Sequence, residues 1–313
     1  MRARAAISLA AVAALASTMV SAQPAASPLD EEPPVSAELV VRGRLPGPAW
    51  WRVSDGDTTV YVLGIPGALP KKAVWNQTVL KRRLKGANVL IIPPSSSAGV
   101  GVLGAPALMR LATAERPLPA PLAERVKAAA VRVGGDADDL LRTRPWFAGV
   151  SLMTAYERKA GLDAVEPLRT ILKAAKKAKV KSRPMLSDYR LQGRPFLDAI
   201  RAMPEADGTA CLEAAVEQIE RGDREIKAVA AAWTVGDART AVAGPRNLQR
   251  CWYALPGFRQ RYASRMDAQV TAVEEALKRP GHAVAVLPLS TLVVEGGVLH
   301  RLRARGHQVR APE

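Results

Sequence analysis

The sequence contains few of the residues from which metal sites and nucleophilic sites are usually built. Its 313 residues include three histidines, two cysteines and only 4% aromatic residues. The histidines (His282, His300 and His307) do not have His-x-x-x-His or His-Glu-x-x-His spacing, and the sequence contains no Gly-x-Ser-x-Gly elbow. These absences exclude the common signatures of zinc metalloproteases and α/β-hydrolases. We predict surface or packing roles for the three histidines.

The scarcity of aromatic residues also constrains the fold. Hydrophobic residues make up 48% of the chain, so its core must consist mostly of alanine, leucine and valine. This composition favours helices packed on a sheet over an all-β sandwich. The length suits one large domain or two small ones with ample core.

Long apolar stretches are also lacking, except at the N-terminus. There, Arg2 and Arg4 precede an apolar run over residues 5–20, which ends in the small residues Ser21 and Ala22. This pattern predicts a signal peptide, residues 1–22, cleaved after Ala22. An uncleaved anchor is the alternative, although the run is shorter than the roughly 20 residues that a membrane span needs. We therefore expect an exported protein, periplasmic or secreted, that is not transmembrane after cleavage.

Basic residues greatly outnumber acidic ones. The formal net charge is +16, and removal of the predicted leader with its two arginines would leave +14. An exported basic protein could bind anionic polysaccharide or lipid head groups. The alternative is a solvated basic surface with no such partner. Nucleic acid is a disfavoured partner, because an exported protein is separated from cellular nucleic acid and the sequence contains no recognisable nucleic-acid-binding motif.

The two cysteines, Cys211 and Cys251, are expected to form one structural disulfide, since even counts in exported proteins usually pair. Each lies in a helical pattern, so the bond would join two helices. Closing a loop of about 40 residues should contribute roughly 3–4 kcal/mol to stability.

Periodicity predicts the α/β (α+β) class, with a mixed central sheet flanked by helices and a helix-rich middle region. Residues 23–45 are rich in proline and alanine and are expected to be a flexible tether, and residues 46–313 a single domain. A hairpin is predicted at 50–54 and 58–63 around Asp55–Gly56–Asp57. Further strands are expected at 88–92, 184–186, 283–287 and 308–309. Helices are expected at 73–84, 121–131, 145–159, 166–177, 197–233, 247–278 with a break at Pro256–Gly257, and 297–304.

Several short motifs follow one another in a recognisable order between Trp50 and Val309. They are Trp51–Arg52–Val53, Thr59–Val60–Tyr61–Val62–Leu63–Gly64, Arg144–Pro145–Trp146, Ala160–Gly161–Leu162–Asp163, Trp233–Thr234–Val235–Gly236–Asp237, Arg246–Asn247 with Trp252, and Gly296–Gly297–Val298–Leu299 with Leu302, Arg305–Gly306 and Val309. In this order and spacing the chain resembles the TraB/GumN family (TraB/PrgY/GumN), to which the TIKI metalloproteases are related.

The resemblance implies a metal-hydrolase site that this sequence lacks. Family members believed active carry two Gly-x-x-His motifs at strand ends, with acidic residues and an arginine, and are thought to hydrolyse peptides through a divalent metal. Here the first motif keeps Gly64 but has Gly67 in place of histidine, and the second has Pro288 and Thr291 in place of glycine and histidine. The expected glutamates fall at Pro93 and Ser187, and the arginine is retained as Arg246.

Because these replacements remove the donor atoms that a cation needs, we expect no metal, no cofactor and no catalytic residue at this site. The predicted role is non-catalytic binding or scaffolding in the cell envelope, as a pseudoenzyme of a metallopeptidase-like family. The alternative is a peptidase or hydrolase with a rebuilt site, in which Ser290–Thr291 at a strand end would present a nucleophile. Arg246 is the ligand-binding candidate, for an anion; a buried ion pair is its alternative.

Other polar residues have ordinary explanations. Glu213, Glu217 and Glu220 have near-helical spacing and are expected to form a solvated face, with Arg221 and Arg224 as possible partners. Asp237 is expected to cap a helix.

Overall fold

The computed structural model describes residues 33–40, 43, 45–71, 73–94, 98–99, 104–163, 165–185, 191–244 and 247–312. Its strands are β1 (Trp50–Ser54), β2 (Thr58–Ile65), β3 (Leu69–Pro70), β4 (Leu90–Ile92), β5 (Ala98–Gly99), β6 (Leu162–Asp163), β7 (Ser182–Pro184), β8 (Leu191–Gln192), β9 (Gly281–Pro288) and β10 (Gln308–Arg310).

The helices occupy most of the remaining chain. They are α1 (Thr78–Leu84), α2 (Ala105–Ala112), α3 (Ala120–Val133), α4 (Ala137–Leu141), α5 (Pro145–Lys159), α6 (Glu166–Lys177), α7 (Arg194–Arg201), α8 (Glu205–Arg221), α9 (Arg224–Thr234), α10 (Ala238–Val242), α11 (Asn247–Tyr253), α12 (Phe258–Leu277), α13 (Leu289–Leu292) and α14 (Val298–Ala304).

Six strands form the main sheet, in the order β10-β1-β2-β9-β4-β7. β1 is antiparallel to both β10 and β2, whereas β2, β9, β4 and β7 are mutually parallel. The predicted mixed sheet flanked by helices is therefore confirmed. The parallel strands place their carboxyl ends at one edge, where α/β folds usually carry their sites.

The centre of the sheet is its most apolar part. Residues 283–287 of β9 are fully buried, as are Val60, Val62 and Leu63 of β2. A continuous apolar run is typical of a strand covered on both faces. The hairpin is confirmed as well: in its turn, Asp55 Oδ1 accepts a hydrogen bond from the Thr58 backbone N–H at 3.0 Å.

Two further hydrophobic clusters lie in the helical region. One joins α3, α4, α5 and α8, and the other brings together residues of α5, α7, α8, α11 and α12. Cys211 on α8 and Cys251 on α11 belong to the second cluster, with their sulfurs at disulfide distance, 2.06 Å. The bond joins two helices, as predicted.

Several predicted boundaries are wrong. The stretch 197–233 is three helices rather than one, because Pro204 precedes α8 and Gly222 ends it with a φ of 79°. The third parallel strand is Ser182–Pro184 instead of 184–186. The first predicted helix begins at Thr78, five residues later than expected. The break before α12 is confirmed.

The predicted tether needs a correction in its second half. Leu39 and Val40 are buried in the main core, and the Trp51 Nε1 donates a hydrogen bond to the Leu39 carbonyl at 2.9 Å. Val35 forms an isolated bridge with Val294. Proline-rich composition predicted a tether, but two apolar side chains anchor this part of the segment to the sheet. Residues 1–32, including the predicted signal peptide, lie outside the described residues.

Within the described part of the chain, every helix is too short or too polar to traverse a lipid bilayer.

Candidate functional site

The two degenerate motifs meet at the carboxyl edge of the sheet. β2 and β9 are parallel neighbours, and their last residues, Ile65 and Pro288, are paired in register. The segments that follow them, Pro66–Ala68 and Leu289–Ser290, line one cavity of about 340 Å³. The two segments that the sequence singled out therefore lie side by side at one edge of the sheet and share a cavity.

The cavity walls combine apolar, aromatic and polar side chains. The helical region supplies most of the lining, from α5, α8, α9, α10, α11 and α12. Trp252 and Phe258 stack with their ring centroids 6.0 Å apart. The polar lining residues are Glu157, Gln218, Asn247, Gln249, Tyr262, Arg265 and Ser290. A concave, largely apolar site with a few convergent polar groups is the usual form of a small-molecule pocket.

Gly67, in the first histidine's place, is exposed and lines this cavity. A Cβ added there would meet no atom within 4 Å. The position therefore has room for a side chain but supplies none.

Thr291, in the second histidine's place, has the opposite character. It is completely buried, and its hydroxyl donates to Gln269 Oε1 at 2.7 Å, with the Pro288 carbonyl at 3.1 Å. Thr291 is not among the residues that line the cavity. Its oxygen serves the packing of α13 against α12.

Among the described residues, the motif positions Gly64, Pro93 and Pro288 also lie outside the cavity lining. Gly64 lies inside β2, and its φ is not positive. A Cβ there would come within 2.4 Å of Leu289 and 2.8 Å of Trp51. Close packing is therefore the reason for glycine at this position. Its carbonyl accepts a hydrogen bond from Trp233 Nε1 at 2.7 Å. Pro288 ends β9, and Pro93 directly follows β4.

This donor set does not fit a divalent metal. Gly67, Pro93 and Pro288 have no side-chain atom that could ligate a metal. The Thr291 hydroxyl is buried and is already hydrogen-bonded to Gln269. Among the described residues no three His, Cys, Asp or Glu side chains are grouped so that they could share an ion. Metal sites in proteins are built from such groups. The loss of metal catalysis stays a prediction, and the chemistry of these residues supports it.

Among the residues that the structure describes, Glu157 is the one carboxylic acid that lines the cavity. It lies on α5, one turn after the buried Met153, and is itself partly buried. Burial raises the pKa of Glu157 above its ordinary value, because desolvation disfavours the charged carboxylate. A carboxyl group held this way can donate or accept a proton nearer to neutral pH than an exposed one.

Two hydrogen-bonded pairs order other polar groups of the lining. The Tyr262 hydroxyl donates to the Ser290 carbonyl at 3.2 Å, and the Ser290 hydroxyl oxygen lies at 3.5 Å. The buried Asn247 donates from Nδ2 to Gln218 Oε1 at 3.0 Å. These pairs fix side chains from four helices around the cavity.

A second cavity of about 640 Å³ lies next to the first and shares Val229, Val242, Gly244 and Asn247 with it. The N-terminal residues Pro33–Val35 contribute to its wall. Arg246 and Ser187, two of the motif positions, lie outside the described residues, so the ligand-binding role of Arg246 stays a prediction.

The other polar residues singled out from the sequence lie away from the cleft. The histidines contact Arg83 and Tyr61 (His282), Ser36 (His300) and Glu274 (His307). Glu213, Glu217 and Glu220 form an exposed face, but the partner of Glu220 is Arg125 on α3, at 2.8 Å. That hydrogen bond lowers the pKa of Glu220. Arg221 approaches Glu225 instead, at 3.8 Å. Asp237 caps α10, as predicted.

Sequence reasoning missed Glu157, Gln218, Tyr262 and Arg265. The signal for Glu157 was present, because it follows Met153 by four residues and so continues an apolar helix face. A charged residue on such a face indicates either a helix end or a site. The other three required knowledge of how the long helices pack.

Comparison with known proteins agrees with this geometry. The sequence model of the TraB/PrgY/gumN family matches residues 49–311, from the first strand of the sheet to the last. No curated protein and no solved structure shows significant similarity to the chain. A match over this span shows that the chain belongs to the TraB/PrgY/gumN family.

Proposed function

We propose that this protein is an exported binding protein of the cell envelope whose cleft holds a small organic ligand without a metal. The observation that carries the proposal is the cleft itself. The strand ends that bear the family's degenerate motifs open into a cavity of about 340 Å³ with aromatic and polar walls. A cavity of this size and lining suits a ligand no larger than a short peptide.

The charged residues of the lining favour a ligand that carries both signs. Glu157 lies on α5, and Arg265 lies on α12. A dipeptide could place its ammonium group toward Glu157 and its carboxylate toward Arg265, with an apolar side chain against Trp252 and Phe258.

The test uses the dipeptide phenylalanyl-alanine, its N-acetylated form and its C-amidated form, titrated by calorimetry in a buffer that contains EDTA. We expect the free dipeptide to bind, and either blocked form to bind about tenfold more weakly, since each lacks one charged hydrogen bond. Glu157→Gln should reduce the difference in affinity between the free and the N-acetylated dipeptide.

A matched pair of glycine variants locates the binding site. Gly67→Phe places a ring in the cleft, whereas Gly56→Phe places one at the distant hairpin turn; a Cβ meets no atom within 4 Å at either position. Only Gly67→Phe should abolish binding. Failure of all three peptides to bind, a requirement for added metal, or equal effects of the two variants would each contradict the proposal.

A hydrolase with a rebuilt site is the second candidate, favoured by one observation. Ser290, Tyr262 and Glu157 line the same cavity, and Glu157 has a raised pKa that suits a proton donor. Release of free phenylalanine and alanine from the dipeptide in EDTA, abolished by Ser290→Ala, would support this candidate over simple binding. Release that needs added metal would point to a metallopeptidase instead.

Export is the remaining part of the proposal, and it rests on the N-terminal pattern of residues 1–22. Protein recovered from the source cells should begin at Gln23 by N-terminal sequencing. A chain that keeps Arg2 and Arg4 would contradict cleavage after Ala22.

A further inference from the structure

The amino edge of the parallel strands, opposite the cleft, collects an unusual number of cations. α1 leads into β4, α6 into β7 and α12 into β9, so the C-terminal ends of all three helices lie at this edge. Hydrogen bonds join the three connections: the Leu90 N–H donates to the Lys181 carbonyl at 2.9 Å, and the Asn88 N–H donates to the His282 carbonyl at 2.8 Å.

Ten exposed cations lie along these helix ends and in β7, and we call them the basic edge. They are Lys81, Arg82, Lys85, Lys176, Lys177, Lys179, Lys181, Arg183, Lys278 and Arg279. The acidic groups nearby are few. Glu275 forms an ion pair with Lys278, and the charges of Arg183 and Arg279 also help to lower its pKa. The exposed Asp55 and Asp57 lie in the adjacent hairpin turn.

Most of these cations form no ion pair with another described residue of the protein. Of the ten, only Lys278 forms an ion pair with any residue that the structure describes. Cations near a helix C-terminus interact favourably with the helix dipole, which explains one or two at each end. The dipole corresponds to only about half a negative charge, so Lys176 and Lys177 in the last turn of α6 and Lys179 and Lys181 just after it exceed what the dipole can balance.

Lys179 shows this excess most clearly. Its φ is 58°, in the left-handed region that favours glycine at the end of a helix. The Val180 N–H donates to the Ala175 carbonyl at 3.0 Å, which closes the helix in the usual way. A lysine at this position strains the backbone, and its side chain makes no ion pair with a described residue.

We propose that the basic edge binds the surface of an anionic phospholipid bilayer. Its cations are spread over three helix ends and one strand, and none of them lines either cavity described above. An extended array of charges suits an extended anionic surface better than a small ligand. Seven of the ten are lysines, whose flexible stems let each ammonium reach a separate head group.

The contact should be electrostatic and superficial. The most exposed large apolar side chains (Val74, Met109, Val131, Val165 and Val235) lie outside these helix ends, so the basic edge has no apolar anchor of that kind among the described residues. Basic residues near an anionic membrane each strengthen binding by roughly fivefold, and salt screens the attraction.

The test is co-sedimentation of the mature, disulfide-bonded chain with vesicles. One set contains phosphatidylglycerol mixed with phosphatidylcholine, and the other contains phosphatidylcholine alone. We expect binding only to the first set, lost at about 1 M salt, where the Debye length falls to about 3 Å. The triple variant Lys177→Gln, Lys179→Gly and Lys181→Gln should bind roughly 100-fold more weakly.

Two controls separate a binding surface from a structural role. Lys179→Gly alone should weaken vesicle binding about fivefold while its thermal stability stays the same or rises, because glycine relieves the strain. The triple variant Arg110→Gln, Lys159→Gln and Lys227→Gln removes the same charge elsewhere and should bind nearly as well as the wild type.

Three outcomes would overturn the proposal. They are equal binding to both vesicle sets, equal weakening by the two triple variants, and tighter binding to soluble polygalacturonate than to the anionic vesicles. The last outcome would assign the basic edge to an anionic polysaccharide instead.

Discussion

A close contact between α5 and α8 depends on Gly149, which lies near the N-terminal end of α5. A Cβ added there would come within 2.8 Å of the Cys211 sulfur, 3.0 Å of the Leu212 Cα and 3.1 Å of the Cys211 carbonyl carbon. Two of these atoms belong to the backbone of α8, and the third is in the disulfide. None can move without moving the helix. Gly149→Ala should therefore destabilise the protein, even though alanine is the better helix former.

The magnitude follows from two opposing effects. Alanine in place of glycine in a helix gains about 1 kcal/mol. Overpacking a core typically costs about 1–3 kcal/mol, and contacts with backbone place this site at the upper end. We expect the free energy of unfolding to fall by about 2 kcal/mol, the difference between the cost and the gain.

Gly208 on α8 is the matched control. It faces the same interface, but the nearest atoms to an added Cβ are those of Trp146 at 3.4 Å, an ordinary contact. Gly208→Ala should raise the free energy of unfolding by up to about 1 kcal/mol. Urea titration under non-reducing conditions, followed by tryptophan fluorescence, measures both. If Gly149→Ala proves as stable as Gly208→Ala, the argument from close helix packing is wrong.

Three further predictions concern the cleft and the disulfide. Burial raises the pKa of Glu157, so its contribution to stability is fully present below the ordinary glutamate pKa and is lost as pH rises through the raised pKa. Glu157→Gln should remove this pH dependence from a series of urea titrations at different pH. If the variant and the wild type show the same pH dependence, the prediction is wrong. Replacing both Cys211 and Cys251 by alanine should lower the free energy of unfolding by roughly 3–4 kcal/mol, and a change below about 1 kcal/mol would contradict the crosslink. Gly67→His should leave thermal stability nearly unchanged, whereas Thr291→His should lower the free energy of unfolding by about 1–3 kcal/mol, and equal effects would contradict the packing described for Thr291.

The parts of the fold that sequence predicted well are those set by local pattern. The apolar runs of β2 and β9 and the Asp-Gly turn of the hairpin each depend on a few adjacent residues. The cysteine pair followed from count and context. The break before α12 followed from Pro256–Gly257. All of these features are visible without knowing what packs against them.

The parts that failed depend on distant contacts. The composition of residues 23–45 predicted a tether, but Leu39 and Val40 are buried in the main core, and the Leu39 carbonyl accepts a hydrogen bond from Trp51 Nε1. Gly64 was noted only as a motif glycine, whereas the side chains of Trp51 and Leu289 exclude a Cβ there. Tertiary packing decides both positions, and no local pattern reports it.

The cleft and the basic edge lie at opposite ends of the same strands, and this has a consequence that can be measured. β2 has eight residues, which span about 26 Å at the rise of an extended strand. Two sites that are so far apart and share no side chain should bind their ligands independently of each other. Protein held on a bilayer by the basic edge would present the cleft to the aqueous side, so dipeptide affinity should be the same with and without anionic vesicles. The triple variant Lys177→Gln, Lys179→Gly and Lys181→Gln should likewise bind the dipeptide with the affinity of the wild type. A change of several fold in either measurement would show that the two edges are coupled.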